Sequence, residues 1–230
     1  MRKIATVAIV LALVAIAIPT QAQTAKEIRK ERKEMTKMTQ SELNKKASKN
    51  ARKQAKEFKK QGWVTLPDGL PIEKQFDRSW NMQVELDENL MPKYYMGVAM
   101  SIGENYDAAR MQAIELAKME IAKQVGQEMT ALIKTANING QLPAAQAASL
   151  TQTIEESMSL ISQSIGRTQT IVDLYRENTN KNKEVYVRVF YSSAMAMQVA
   201  KSVIREELKK KGEDLEKQLD CINFGVCPAQ

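Results

Sequence analysis

The chain of 230 residues contains no histidine, two cysteines, and an aromatic content of only 5%. Without histidine, the commonest general base and metal ligand is missing, and Ser-His-Asp and Cys-His catalytic arrangements are excluded. Few aromatics and 13 methionines predict a core built from aliphatic residues, alanine and methionine. No Gly-rich loop ends in Lys-Ser/Thr, no G-x-G-x-x-G follows a strand, and no G-x-S-x-G elbow occurs. The carboxylates Glu115, Glu120, Glu155 and Glu156 fall on helical surface, where such groups are ordinarily solvated. Met96, Met100, Met111, Met119 and Met129 alternate on a strand or scatter round a helix, which suits gap-filling better than Cu(I) binding. These absences predict a protein that is not an enzyme and carries no cofactor.

The N-terminus is distinctive. Arg2 and Lys3 precede fifteen uncharged residues, Ile4 to Ile18, and then Pro19-Thr20-Gln21-Ala22. This is the layout of an export signal over residues 1–22, with cleavage after Ala22. Fifteen helical residues reach about 22 Å, short of the roughly 30 Å hydrocarbon core, so the mature chain is expected to have no transmembrane span. No cysteine follows the apolar run to take a lipid. Export would place Cys221 and Cys227 in an oxidising compartment, where they form either a small terminal loop bridge or two thiols.

Charge is uneven. The net +7 includes two signal-peptide cations; residues 24–62 hold 14 Lys+Arg against 5 Asp+Glu, and residues 63–230 hold 18 against 22. The basic arm, residues 23–61, has no proline or glycine from Lys26 to Lys60, and it reads as a long helix. Leu43, Ala47, Ala51, Ala55 and Phe58 form a thin apolar stripe along its second half. Its exposed cations, Arg29, Lys30, Arg32, Lys33, Lys45, Lys46, Arg52 and Lys53, belong either to a solvated helix or to a contact with an anionic envelope surface. Nucleic acid is excluded as partner, since the chain is exported and no aromatic interleaves the charges before Phe58.

Residues 62–92 form a turn-rich lead-in carrying Trp63 and Trp80, with a short helix after Pro71 whose face is Ile72, Phe76 and Trp80 or Ser79. The body, residues 93–218, opens with a period-two strand in which Tyr94, Met96, Val98, Met100 and Ile102 alternate with Tyr95, Gly97, Ala99 and Ser101. Asn105 or Asp107 caps a long helix with Ala109, Ala113, Leu116, Ala117, Ile121, Val125 and Leu132 on one stripe. Pro143 opens a second helix running to Ile165. A hairpin follows, residues 168–175 and 184–191, and then a last helix from Ser192 or Ser193 with Met195, Val199, Val203 and Leu208 inward. The order β-α-α-β-β-α predicts an α+β fold with a small antiparallel sheet of about three strands packed on helices. Residues 219–230 are a tail.

Tyr95-x-Gly97-x-Ala99, the ladder Ala109-x3-Ala113-x3-Ala117-x3-Ile121, and Val185-Tyr186-Val187-Arg188-Val189 resemble the LPP-twenty-like family of bacterial envelope lipoproteins, over about residues 94–209. The resemblance implies a compact α+β envelope domain, often at the outer membrane, without known enzymatic activity. A related fold in a flagellar ring protein implies assembly or scaffolding. The chain lacks the family's lipobox cysteine, and no functional residue carries over. The expectation is an exported, non-enzymatic binding or assembly module of the periplasm or the periplasmic face of the outer membrane. Its sheet face bearing Tyr186, Arg188 and Phe190 would be covered by the lead-in or offered to an envelope protein. A periplasmic carrier of a small ligand or metal is the alternative.

Overall fold

The computed structural model describes residues 46–212 together with Lys30, Lys33, Leu215 and Leu219. Residues 1–22, expected to be an export signal, and Arg29, Arg32, Lys45, Cys221 and Cys227 lie outside the described residues. The chain divides into two compact units, Met1–Lys46 and Ala47–Gln230. In the first, Lys30 and Lys33 are helical and exposed.

The second unit is an α+β domain in the order expected from the sequence. Its elements are α1 (Lys49–Lys60), α2 (Ile72–Gln83), β1 (Tyr94–Gly103), α3 (Tyr106–Ile138), α4 (Ala144–Glu156), α5 (Met158–Ser164), β2 (Gln169–Glu177), β3 (Lys183–Ser192) and α6 (Ser193–Lys211). The sheet is antiparallel with order β1-β3-β2. β1 pairs with β3 without interruption from Tyr94↔Ser192 to Gly103↔Lys183, while a bulge at Ile171 shifts the β2–β3 register.

Alternation along β3 directs two different cores. Val185, Val187, Val189 and Tyr191 face α3 and α6 and join the larger core. α3 lies close because its inward stripe is small: Ala109, Ala113 and Ala117 are fully buried, followed by Ile121, Val125, Met129 and Ile133. Leu116 and Leu132, expected on this stripe, fall at its margins; Leu116 is largely exposed and Leu132 half-buried. Asn105 is the cap, its side chain accepting from the Ala108 amide at 2.9 Å. α6 is turned by one position from expectation. Ala196, Ala200, Ile204 and Leu208 are buried while Met195 is exposed. The alanines permit the closer approach, so they take the inward face. The second helix is two pieces: Ser157 interrupts it, its hydroxyl donating to the Thr153 carbonyl at 2.6 Å.

The opposite sheet face carries a second core of Ala47, Ala51, Ala55, Trp63, Ile72, Phe76, Val172 and Leu174, with Phe58 and Tyr186 packed against it. The uninterrupted arm helix through Lys60 is therefore corrected. Residues 46–48 are not helical, Ser48 caps α1 by accepting from the Ala51 amide at 3.2 Å, and the alanine stripe of α1 is core. The division between the two units falls after Lys46, so α1 belongs to the second. Among the described residues no helix is long and apolar enough to cross a membrane.

Candidate interaction surface

The expected partner face is closed by the chain itself. Phe190 is fully covered and Arg188 is buried. Phe58 of α1 lies edge-on to both Phe76 of α2 (4.9 Å between centroids) and Tyr186 of β3 (5.2 Å), and Trp63 stands 6.1 Å from Tyr186. Of the two alternatives for Tyr186, Arg188 and Phe190, cover by the lead-in is the one adopted. The physical reason is area: four aromatic rings and a row of alanines find a large apolar surface nowhere else on this side.

Arg188 occupies an unusual position in that cover. Its guanidinium sits 5.0 Å from the Phe76 ring centroid, donates from Nε to the Tyr186 hydroxyl at 2.8 Å, and from Nη1 to Ser79 Oγ at 3.3 Å. Among the described residues no carboxylate pairs with it. Ser79, not Trp80, completes the inward face of α2, because the small hydroxyl leaves room for the guanidinium; Trp80 is half-buried. A second cation, Arg176, stacks 4.7 Å from the Trp63 ring and pairs with Glu184 at 2.6 Å.

A polar network fastens the lead-in to the body. Gln75 donates to the carbonyl of Leu70 (2.7 Å) and accepts from the Asp173 amide (2.8 Å). The Asp173 carboxylate takes hydrogen bonds from Arg110 (2.6 Å) and from the Tyr106 hydroxyl (2.9 Å). Burial, then the hydrogen bond to Asp173 and its charge, pushes the Tyr106 hydroxyl well above the ordinary tyrosine range. Burial and the Glu128 carboxylate do the same to Tyr95.

The two sheet edges differ. The outer edge of β2 is capped by the residue after Trp63: Val64 and Tyr175 exchange two backbone hydrogen bonds, 2.8 and 2.9 Å. β1 has β3 as its single strand neighbour among the described residues. On its outer side the Met96 carbonyl accepts from Gln124 Nε2 of α3 at 2.8 Å, and among the described residues no strand pairs with the rest of that edge. α2 shields Met96, whose sulfur receives the Ser79 hydroxyl at 3.9 Å, but its cover stops there. Beyond it Val98, Met100 and Ile102 are 39, 50 and 50% exposed on one face of a ten-residue strand that has no charged side chain. Long apolar edges are ordinarily broken by charge, proline or a covering element. Leu116, 47% exposed, adjoins the same edge on α3, one turn from Gln112, which receives the Ser101 hydroxyl at 2.6 Å.

The remaining feature is basic. Arg52, Lys56, Lys59 and Lys60 of α1 line an open groove of about 520 Å³ with Glu73 of α2. Burial works against the Glu73 carboxylate, but its own helix amide and Lys59, at 3.0 Å, together hold it below its ordinary range. Arg52 is tied to the Ala47 carbonyl at 3.1 Å, and Lys46 and Lys53 are exposed. Of the methionines considered for copper, Met100 and Met111 are exposed, Met96 and Met119 half-buried and Met129 buried, so they form no common site. Among the described residues no group of three Cys, Asp or Glu side chains is placed to hold a metal ion.

Sequence reasoning identified β1 and its alternation but not which face would be bare. The signal was present in the small residues Gly97, Ala99 and Ser101, which mark the helix-covered face. No family model, curated protein or solved structure matches the chain.

Proposed function

We propose that the chain is an exported, non-enzymatic protein of the bacterial envelope that acts as a binding or assembly module. The observation that carries this reading is the uncharged edge strand β1, whose apolar strip of Val98, Met100 and Ile102 is bare on a domain otherwise closed on both sheet faces. Beyond Met96, whose carbonyl is taken by Gln124, the unpaired edge offers main-chain donors and acceptors for strand addition, and the strip supplies apolar area beside them. In this reading protein docking uses the β1 edge, since the Tyr186–Arg188–Phe190 face is covered by the chain itself.

The cationic outer face of α1 adds attraction to anionic envelope surfaces. Such contacts act within a Debye length and weaken with salt. Because α1 is part of the folded domain, they orient the body as well as tether it. Removal of the segment before residue 23 on export remains part of the reading, with the mature chain in the periplasm or on the inner side of the outer membrane.

The test is photo-crosslinking in living cells, with the full chain carrying a photoreactive residue at Met100 or, as a reference, at Ile138. Ile138 is 83% exposed at the far end of α3. A discrete protein adduct from position 100 and none from 138 supports the module. The same pattern from both positions, or none from either, refutes it.

A further inference from the structure

We infer that the occupant of the β1 edge is the β1 edge of a second copy of this chain, joining two three-stranded sheets into one of six strands. The inference rests on reading β1 as a docking edge and names the partner.

The strand is self-complementary. Its large apolar residues Val98, Met100 and Ile102 share one face, and Gly97, Ala99 and Ser101 share the other. An antiparallel two-fold pairing that keeps corresponding faces together sets large apolar side chains against one another and small against small. Centred on Ala99, it places Val98 opposite Met100 of the second copy and Met96 opposite Ile102. Charges occur only at the two ends, Lys93 before the strand and Glu104 after it. Pairing centred on Val98 or Ala99 brings Lys93, which pairs with Glu85 of its own chain at 2.5 Å, within one residue of Glu104 of the second copy, and keeps the two Lys93 side chains at opposite ends of the joint. A foreign strand would need this charge-free alternation by coincidence; a second copy has it by identity.

The layer beneath the sheet agrees. α3 runs antiparallel to β1: a Cβ at Gly103 would lie 2.7 Å from the Ala109 amide nitrogen, Ser101 meets Gln112, a Cβ at Gly97 would lie 2.0 Å from the Ala117 carbonyl oxygen, and Tyr95 reaches Glu128. With strands about 4.8 Å apart across the two-fold, the two α3 helices come alongside each other beneath the joint. Leu116 lies on the flank that would then be covered. A ten-residue edge extends about 33 Å, and helix contact adds to the area it buries.

The experiment measures the mass of the purified mature chain by light scattering, from dilute to high micromolar concentration, for the wild type, Met100→Lys, Ile102→Lys and Ile138→Lys. Both strip positions are half exposed, so lysine there leaves the domain core untouched, and circular dichroism verifies each fold. The expected result is twice the monomer mass for wild type and Ile138→Lys, halved in both strip variants. A wild type that stays monomeric, or strip variants that stay dimeric, overturns the inference. The in-cell adduct at Met100 separates the two levels. An adduct with a different protein from a monomeric chain removes the second copy but leaves the docking edge, and no adduct removes both.

Discussion

Gly97 of β1 meets the backbone of Ala117 of α3 so closely that a Cβ at position 97 would stand 2.0 Å from the Ala117 carbonyl oxygen and 3.1 Å from its Cα. The obstacle is backbone, which cannot turn aside as a flexible side chain would. Gly97→Ala therefore forces α3 away from the strand, and the expected loss is about 1–3 kcal/mol or more in urea unfolding. Ala99→Gly, on the same strand face without that contact, is the comparison.

Arg188 yields an asymmetric pair of outcomes. Its guanidinium is buried among Phe76, Tyr186 and Ser79 without a carboxylate among the described residues, so burial of its charge is offset only by neutral groups. Arg188→Ala opens a cavity and is expected to cost about 2–5 kcal/mol. Arg188→Met keeps most of the volume and removes the charge, and is expected to be within about 1 kcal/mol of wild type or more stable. Equal losses in the two variants, measured by denaturant midpoint, would show that the charge itself holds the cover down.

Alkaline stability follows from two tyrosines. In the folded chain burial, and then the Glu128 and Asp173 carboxylates, raise the hydroxyls of Tyr95 and Tyr106 above the ordinary tyrosine value of about 10. An unfolded chain ionises these groups near that value while the folded chain holds the proton. Their contribution is thus complete below about pH 10 and is lost as pH rises through the folded pKa. Thermal midpoints are expected to fall above pH 10, with a shallower fall in Tyr95→Phe and Tyr106→Phe and the shallowest in the double variant.

The division after Lys46 predicts where the chain tolerates truncation. A chain beginning at Ala47 keeps the entire second core and is expected to unfold in one cooperative step. One beginning at Gly62 loses Ala51, Ala55 and Phe58 from that core and is expected to be strongly destabilised. Trp63→Ala, which removes one of its largest buried side chains, is expected to cost about 3–5 kcal/mol. Limited proteolysis that cuts within α1 before residues preceding 46 would contradict this boundary.

Much of the fold was legible because its signals are local. Alternation marked β1 and β3, and the alanine ladder marked the buried face of α3. The helix starts were narrowed to Asn105 or Asp107 and to Ser192 or Ser193, of which Asn105 and Ser192 are the caps. What was not legible depends on competition between faces. α6 offered both Met195-Val199-Val203 and Ala196-Ala200-Ile204 stripes, and only packing against α3 selects the smaller one. α1 offered a basic helix with an alanine stripe, and composition alone does not tell a solvated arm from a docked helix. The break at Lys46–Ser48 rests on a single serine cap. The candidate site was hidden for the same reason: alternation put Val98, Met100 and Ile102 on one face with Met96, but did not show that α2 shields Met96 and leaves the other three exposed.

The most direct test of the account is amide hydrogen exchange along β1, measured on the dilute purified mature chain and on the same chain recovered in intact envelopes. The account predicts rapid exchange for the outward amides of β1 in the dilute chain, slow exchange in the envelope, and no change in β3. Slow exchange in both states would mean that the chain covers its own edge. Rapid exchange in both would mean that nothing docks there, and either result contradicts a module that works through this strand.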